Sequence, residues 1–254
     1  MGFDVTYHPI NENEMREWYF DRLEEVRQNN LTTVHQLAKQ FEMEDFYVDK
    51  YIEVLTTGAA LSTDPSVFFD TTHGFYVAVV QGFFRTHFYV RGSMLTDLFE
   101  RNPDFFQYTK SWSSVLEKEI ECSVANKITE NYSSGVFMPY EQVQKLYHDY
   151  LNIPSVKEKV DWIFSDGRID ILIKAMKFCL ENELGLLEAT EIVAPDPLDL
   201  NNSGSYSNLL NCDTEGAILF QEVALGQIIE ATAQQNAKQK SKKSLFTKLF
   251  KGKN

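Results

Sequence analysis

The sequence has few cysteines and no uninterrupted long apolar run. Three Cys among 254 residues are too few to build a disulfide scaffold, and their wide separation is typical of reduced thiols. Residues 74–90 form the longest apolar region, but Gln81, Arg85 and His87 interrupt it, which makes it a poor membrane span. The first residues also lack the basic and apolar regions of a secretory signal. These absences predict a cytoplasmic protein without a transmembrane segment.

Basic side chains are scarce overall, and many of them are concentrated in one short segment. The chain has 24 Lys and Arg against 37 Asp and Glu, which gives a formal net charge of −13. Residues 237–254 contain seven Lys and no acid, so residues 1–236 keep 17 basic and 37 acidic side chains, a net charge of −20. We predict an acidic folded domain over residues 1–236 and a flexible Lys-rich tail over residues 237–254. Such a domain is a poor binder of nucleic acid, whose phosphates require a cationic surface.

The motifs of common catalytic and phosphate-binding sites are absent as well. The chain contains neither G-x-x-x-x-G-K-[ST] nor G-x-G-x-x-G, and it has no G-x-S-x-G elbow. Its five His show no metal-ligand spacing such as H-E-x-x-H. We therefore predict no catalytic residue, no metal site and no cofactor, and we expect a binding function in preference to an enzymatic one.

The spacing of apolar residues predicts a mostly α fold of the α+β class. Residues 3–8 alternate as a short strand, and Asn11 with Glu14 forms a capping-box pattern that begins a helix. Residues 111–130 have the period of an amphipathic helix, and Asp213 precedes a last helix whose apolar residues are expected to face the core. A composition of 43% hydrophobic and 24% charged residues excludes a disordered chain, and the spacing along it predicts a single helical domain with a few short strands.

The secondary structure of residues 75–91 is ambiguous in the sequence. Residues 75–80 fit a buried helix or a buried strand equally well, whereas residues 83–91 alternate with the two-residue period of a strand. If residues 83–91 form a strand, every second side chain lies on one face, and that face contains two arginines.

That face of the strand is a candidate anion-binding site. Two guanidinium groups, an imidazole and a phenol could together receive a phosphate or a carboxylate, with a turn histidine close by. The candidate residues are Arg85, His87, Tyr89, Arg91 and His73. The alternative is that these cationic groups pair with neighbouring acids, which are abundant in this domain.

The Lys-rich tail contains an amphipathic pattern of its own. If residues 244–251 become helical, apolar side chains share one side and lysines lie opposite. A helix this short is marginal alone in water, so an anionic membrane surface or a partner groove would have to stabilise it. The candidate contact residues are Leu245, Phe246, Lys248, Leu249, Phe250 and Lys251. The alternative is a solvated tail without a partner.

These observations support three hypotheses of function. In the first, the chain is a non-catalytic cytoplasmic protein that binds a basic protein partner, as an immunity protein that neutralises a cationic toxin would, because opposite charge accelerates encounter. In the second, residues 70–91 line the anion pocket of a ligand-binding or enzymatic domain. In the third, the chain is a membrane-peripheral adaptor that uses its basic tail.

Overall fold

The computed structural model describes residues 2–115 and 121–232. It confirms the predicted α+β class, because helices dominate and the few strands include one near the N-terminus. The helices in chain order are α1 (Glu12–Met15), α2 (Asp21–Arg27), α3 (Thr32–Gln40), α4 (Asp45–Ala60), α5 (His73–Phe84), α6 (Leu95–Arg101), α7 (Trp112–Val115), α8 (Tyr140–Asn152), α9 (Pro154–Ile163), α10 (Arg168–Glu181) and α11 (residues 215–232). The strands are β1 (Asp4–Ile10), β2 (His87–Arg91), β3 (Ser134–Met138), β4 (Gly185–Thr190), β5 (Val193–Ala194), β6 (Gly204–Ser205) and β7 (Cys212–Asp213).

The first helical segment begins where its sequence predicts. The Asn11 side chain accepts a hydrogen bond from the N–H of Glu14, and the Glu14 carboxylate accepts one from the N–H of Asn11. This capping box satisfies two N–H groups that have no partner inside the helix. A π-helical turn over Arg16–Phe20 then joins α1 to α2.

In the described part of the chain, five strands form one mixed sheet in the order β3-β4-β1-β2-β7. The central strand β1 is antiparallel to both neighbours, with Tyr7 opposite Phe88 of β2 and Glu188 of β4. β3 is antiparallel to β4, and β7 is parallel to β2. β5 and β6 pair with each other as a separate two-stranded ribbon.

The sheet separates two hydrophobic cores, one on each face. Successive side chains of a strand point to opposite faces, so Ile10 and Tyr89 pack with helices α1 to α5, whereas Tyr7 and Val90 pack with α6 and α8 to α10. Helices on both sides bury the sheet completely at β4, where every residue is buried. This layered arrangement also buries polar side chains of the strands, among them Glu188.

The ambiguous segment is a buried helix followed by a strand. Residues His73–Phe84 form α5, whose apolar side chains are buried nearly all round between the sheet and α4. The predicted strand over residues 83–91 is therefore wrong for its first residues, since β2 begins only at His87. A helix buried on all sides has no polar face, so the period of its sequence carries no helical signal.

The predicted amphipathic helix over residues 111–130 is wrong in its second half. α7 covers Trp112–Val115, and the chain from residue 121 to 130 is irregular. A side chain from another segment holds this irregular part, because the Asp70 carboxylate accepts hydrogen bonds from the N–H groups of Ala125 (2.6 Å) and Asn126 (3.0 Å). These tertiary contacts outweigh the helical propensity of the segment.

A buried carboxylate joins the sheet to α6. The carboxylate of Glu188 accepts hydrogen bonds from the N–H of Leu95 (2.5 Å), the N–H and hydroxyl of Thr96 (3.1 and 2.7 Å) and the N–H of Val136 (3.3 Å). Burial raises the pKa of Glu188 to about 7, whereas these donors lower it. Glu188 therefore caps the first turn of α6 from a neighbouring strand.

The last described helix, α11, differs from its sequence-based interpretation. Its apolar residues were expected to face the core, but Ile218, Leu225, Ile228 and Ile229 are exposed. The expectation is wrong because α11 packs on the body through Ala217 and Phe220 near its beginning, which leaves Ile218 on the other side of the helix and the residues further along it exposed. The Lys-rich tail over residues 237–254, with all its candidate contact residues, lies outside the described residues.

Among the described residues, no helix is both long enough and apolar enough to cross a membrane.

Candidate functional site

Arg85 lies just after α5 and contacts the first helical segment. Its guanidinium donates to both carboxylate oxygens of Glu14, at 3.0 and 2.6 Å, and its central carbon lies 5.3 Å from the centre of the Trp18 ring. These two charge-assisted hydrogen bonds fix the orientation of the guanidinium and are stronger than hydrogen bonds between neutral groups. Arg85 therefore links α5 to the capping box that begins α1.

His87 is buried on the sheet face that carries α5. Its ring stacks on the ring of His8, with centres 5.2 Å apart and an interplanar angle of 9°. Both His87 nitrogens have no hydrogen-bond partner among the described residues. Burial lowers the pKa of His87 to about 4, because the charged imidazole would lose its hydration.

Polar partners determine the tautomer of the second histidine, His8. The side-chain amide of Gln81 donates to the backbone oxygens of Pro9 and Thr86, so its oxygen faces His8 Nδ1 at 2.7 Å. His8 Nδ1 therefore carries the proton, and Nε2 accepts from the Thr6 hydroxyl at 2.8 Å. Burial, followed by the neighbouring His87, lowers the pKa of His8 well below its usual value.

Tyr89 and Arg91 share one acidic partner at the end of β1. The Tyr89 hydroxyl donates to Asp4 at 2.6 Å, and the Arg91 guanidinium forms an ion pair with the same carboxylate. The guanidinium carbon of Arg91 also lies 5.2 Å from the centre of the Phe220 ring of α11. Arg91 and Arg168 together line a cleft of about 380 Å³ beside α11.

His73 begins α5 and contacts the first helical segment. The Tyr19 hydroxyl lies 2.9 Å from His73 Nδ1, whereas Nε2 has no hydrogen-bond partner among the described residues. Burial lowers the pKa of His73 to about 4, so the ring is neutral near pH 7 and its Nδ1 can accept a hydrogen bond from the Tyr19 hydroxyl.

The structure thus separates the residues of the predicted anion site. Arg85 faces α1, His87 is enclosed by the sheet and α5, and Arg91 faces α11. Both arginines have carboxylate partners, which is the alternative that the acidic composition suggests. An anion site that combines all of these residues stays a prediction. No cavity described above is lined by all of them.

Metal and thiol chemistry receives no support from the side chains that the structure describes. No group of three or more His, Cys, Asp or Glu residues in residues 2–115 and 121–232 could hold a metal ion. All three cysteines are free thiols. Burial, followed by the adjacent Asp213, raises the pKa of Cys212 to about 12, so its thiol is protonated at neutral pH.

A groove between α4 and the β5–β6 ribbon is the strongest candidate for binding. It has a volume of about 370 Å³ and is lined partly by apolar side chains of α4 and β5. Tyr76 of α5 and Tyr206, just after β6, also line it, together with Glu53 and Glu191. We call this site, with the tyrosines and acids at its edge, the aromatic–acidic groove.

Three aromatic rings from separate segments meet at the edge of the aromatic–acidic groove. The rings of Phe75, Tyr132 and Tyr206 are mutually edge-on, with centres 5.8 to 6.1 Å apart. Phe75 is buried and supports the other two, whereas Tyr132 and Tyr206 are 48% and 54% exposed. Edge-to-face contacts hold the rings in place and leave large apolar surfaces available to a partner.

The acids of the aromatic–acidic groove are only partly neutralised, because Arg91 attracts the Glu191 carboxylate without forming an ion pair with it. Neither Glu53 nor Glu191 has an ion-pair partner among the residues that the structure describes. Lys50 lies at the rim and contacts the Phe46 ring at 5.5 Å. Partial burial, followed by the nearby Asp4, raises the pKa of Glu191. A cationic group in the groove would relieve both effects.

This groove is not among the sites predicted from the sequence, although the sequence contains a signal for it. Tyr132 lies in the segment N-Y-S-S-G and Tyr206 in the segment G-S-Y-S-N. A tyrosine flanked by small polar residues in a loop is typical of binding surfaces, where it supplies contact area at low entropic cost. The proximity of the two loops, in contrast, depends on the pairing of β3 with β4 and of β5 with β6.

No protein-family model, no curated protein and no solved structure matches this chain.

Proposed function

We propose that this chain is a non-catalytic cytoplasmic protein that binds a basic protein partner through the aromatic–acidic groove. The observation that carries the proposal is the exposure of Tyr206 in a groove that it shares with Glu53 and Glu191, neither of which forms an ion pair among the described residues. An immunity-type inhibitor of a cationic toxin would have this chemistry.

The groove is suited to a lysine or arginine side chain of the partner. A cation over the face of a tyrosine ring is attracted by the ring electrons, with about 0.5–2 kcal/mol per contact. Glu53 and Glu191 would add charge-assisted hydrogen bonds to the same cation. An exposed tyrosine supported by a buried phenylalanine also resembles the aromatic anchors that dominate binding energies at interfaces.

The charge of the whole domain supports the same class of partner. Residues 1–236 carry a net charge of −20, which attracts a basic protein at long range and repels an acidic one. The cytoplasmic location is part of the proposal and is consistent with three free thiols.

Nuclear magnetic resonance can locate the binding of a cationic probe on the intact chain. We expect a short arginine homopeptide to shift amide signals of residues around Tyr206 and Glu53, and a glutamate homopeptide to shift none of them. In the double variant Tyr206→Ser/Glu53→Gln, the arginine peptide should bind about tenfold more weakly, a loss of about 1.4 kcal/mol. Both side chains are exposed, so the variant keeps its fold.

A matched control removes an equivalent pair of side chains from α9. The double variant Trp162→Ser/Glu158→Gln loses an exposed aromatic ring and an exposed acid beside another surface cavity. It should bind the arginine peptide as the unaltered chain does. Equal weakening in both variants would mean that only net charge attracts the peptide, and unchanged affinity of the Tyr206→Ser/Glu53→Gln variant would refute the groove as the binding site.

A further inference from the structure

Two phenol rings line the aromatic–acidic groove and share one buried support. Tyr76 and Tyr206 both line its cavity of about 370 Å³. The centre of the Phe75 ring lies 5.5 Å from that of Tyr76 and 5.8 Å from that of Tyr206, with interplanar angles of 73° and 76°. Because Phe75 is buried, these edge-on contacts hold both tyrosines in place from inside the protein.

The groove is a region of negative potential. Burial, followed by the neighbouring Tyr206 and Glu53, raises the pKa of Tyr76. Tyr206 and Glu53 therefore lie close enough to Tyr76 to oppose any further negative charge on its hydroxyl. Glu191 adds a second carboxylate to the same cavity, and neither glutamate forms an ion pair among the described residues. A positive charge is thus favoured at this place.

The threonine and serine hydroxyls of the groove are engaged by the backbone. The Thr57 hydroxyl donates to the backbone oxygen of Glu53 at 2.9 Å, and the Ser205 hydroxyl donates to that of Ile192 at 3.1 Å. Val54 and the side chain of Ile192 add aliphatic surface to the wall. A ligand in the groove therefore meets mainly aromatic rings, aliphatic side chains and carboxylates.

These surfaces match a methylated ammonium group better than an unmodified lysine or arginine. Methyl groups on the nitrogen contact the rings and aliphatic side chains, while the positive charge is attracted by the tyrosine faces and the carboxylates. An unmodified ammonium or guanidinium loses its hydration on entry and needs a hydrogen-bond acceptor for each N–H. Within this wall, the carboxylates are the main groups that meet that need.

The lysine of the groove itself does not supply this positive charge. Lys50 lies at the rim, and its Nζ atom is 5.5 Å from the centre of the Phe46 ring. Lys50 and Glu53 form no ion pair in the described part of the chain, although both belong to α4 and line the same cavity. The cation that the tyrosines and glutamates attract therefore has to come from a ligand.

We propose that the aromatic–acidic groove receives a quaternary ammonium group, which contacts the rings of Tyr76 and Tyr206 and is attracted by Glu53 and Glu191. This inference rests on the proposed function, because both require a groove that binds a cation, and it specifies the chemical class of that cation. A trimethylated lysine of a protein partner and a free amine such as choline both carry this group.

A nuclear magnetic resonance titration of the intact chain tests the inference with three short peptides that differ in one side chain. The side chains are trimethyllysine, lysine and a neutral analogue of trimethyllysine in which carbon replaces the quaternary nitrogen. The trimethyllysine peptide should shift amide signals around Tyr206 and Glu53. It should bind about fivefold more tightly than the lysine peptide and about tenfold more tightly than the neutral analogue, because it alone combines positive charge with methyl surface.

Three variants show whether the Tyr206 ring is responsible. Tyr206→Leu keeps an apolar side chain but loses the ring, so the trimethyllysine peptide should bind it about fivefold more weakly. Tyr206→Phe keeps the ring and should retain the affinity of the unaltered chain. The matched control Trp162→Leu removes an exposed ring beside another cavity and should have no effect. Tyr206 and Trp162 are 54% and 64% exposed, so these variants keep their fold.

Choline as a fourth probe distinguishes the two sources of the group. Weaker binding of choline than of the trimethyllysine peptide would support a methylated protein partner. Binding of choline as tight as that of the peptide would support a free amine, which keeps the inference and counts against the proposed protein partner.

Three outcomes would overturn the inference: equal or tighter binding of the lysine peptide, equal binding of the neutral analogue, and unchanged affinity of Tyr206→Leu. If the arginine homopeptide still binds at the groove in any of these cases, only the inference fails and the proposed function stands. If no cationic peptide shifts the signals around Tyr206 and Glu53, both fail.

Discussion

Three buried histidines illustrate how single residues of this protein respond to their surroundings. His8, His73 and His87 are buried, and burial lowers the pKa of each. Buried carboxyl groups shift in the opposite direction, with the pKa of Asp70 raised to about 6 by burial. A lowered histidine pKa and a raised carboxyl pKa change the free energy of unfolding in opposite directions as the pH falls. Only a single-residue variant can therefore separate the contribution of one group from the others.

Replacing His87 by Phe should make the protein more tolerant of acid. The folded pKa of about 4 lies below the ordinary value of 6.5, so His87 costs nothing above pH 6.5 and destabilises the fold as the pH falls from 6.5 towards 4. Between pH 7 and 4 the unaltered chain should lose about 3 kcal/mol more free energy of unfolding than His87→Phe. Urea unfolding at several pH values measures this difference.

The control for this experiment is an exposed histidine. His35 lies on the solvent side of α3, and His35→Phe should follow the pH dependence of the unaltered chain. If His87→Phe also shows the pH dependence of the unaltered chain, protonation of His87 does not destabilise the fold. That result would contradict a neutral His87 buried against His8.

Individual elements of the fold differ in how much of their structure the sequence predicts. The capping box of α1 depends only on Asn11 and Glu14, which are three residues apart, so the sequence is sufficient to predict it. The end of the predicted helix over residues 111–130 is not local, since the Asp70 carboxylate holds Ala125 and Asn126 in an irregular conformation. α11 is the opposite case: the sequence correctly predicts a helix there, but its apolar residues are largely exposed instead of packed in the core.

Replacing Gly216 by Ala should detach the beginning of α11 from the sheet. The new Cβ would collide with the backbone oxygen of Tyr89, which cannot move aside without disturbing β2. We expect a loss of about 1–3 kcal/mol in the stability of this contact. Hydrogen exchange should then show weaker protection of the amides in residues 217–224, with little change in β1.

A second glycine in the same helix provides the control. Gly226 has no atom within 4 Å of the position of an added Cβ. Gly226→Ala should therefore leave the attachment intact and strengthen the helix by about 1 kcal/mol through propensity alone. Unchanged protection in Gly216→Ala would contradict the close approach of α11 to β2.

At the scale of the whole molecule, the excess of acid is the dominant electrostatic feature. Most arginines and lysines of the described residues are engaged by a carboxylate or an aromatic ring, as Arg85, Arg91, Lys174 and Arg101 are. Many acids therefore have no cationic partner. A large net charge destabilises the compact state through self-repulsion, and salt screens that repulsion.

The melting temperature should accordingly rise when the salt concentration increases from about 0.02 M to about 0.3 M, since exposed ion pairs contribute little. The variant Glu17→Gln/Glu158→Gln/Glu181→Gln removes three exposed acids and should show a smaller increase. Calorimetric scans at several salt concentrations measure both. A melting temperature that falls with salt would mean that attractive ion pairs outweigh the repulsion.

The candidate sites follow the same division between local and tertiary information. The sequence placed Arg85, His87, Tyr89 and Arg91 on one strand, but α5 extends to Phe84, so Arg85 is outside the strand. Tyr132 and Tyr206, whose rings meet beside the aromatic–acidic groove, come from loops far apart in the chain. Their meeting depends on strand pairing, which no single segment encodes.

By itself, the sequence determined the fold class, the N-terminal strand, the capping box and the separation of an acidic body from a basic segment. Each of these depends on composition or on spacing within a few residues. Only the tertiary structure decided that residues 73–84 form a buried helix, that Glu53, Tyr76 and Tyr206 line one groove, and that α11 exposes an apolar stripe. Burial on all sides removes the periodic signal, and contacts between distant segments leave no local pattern.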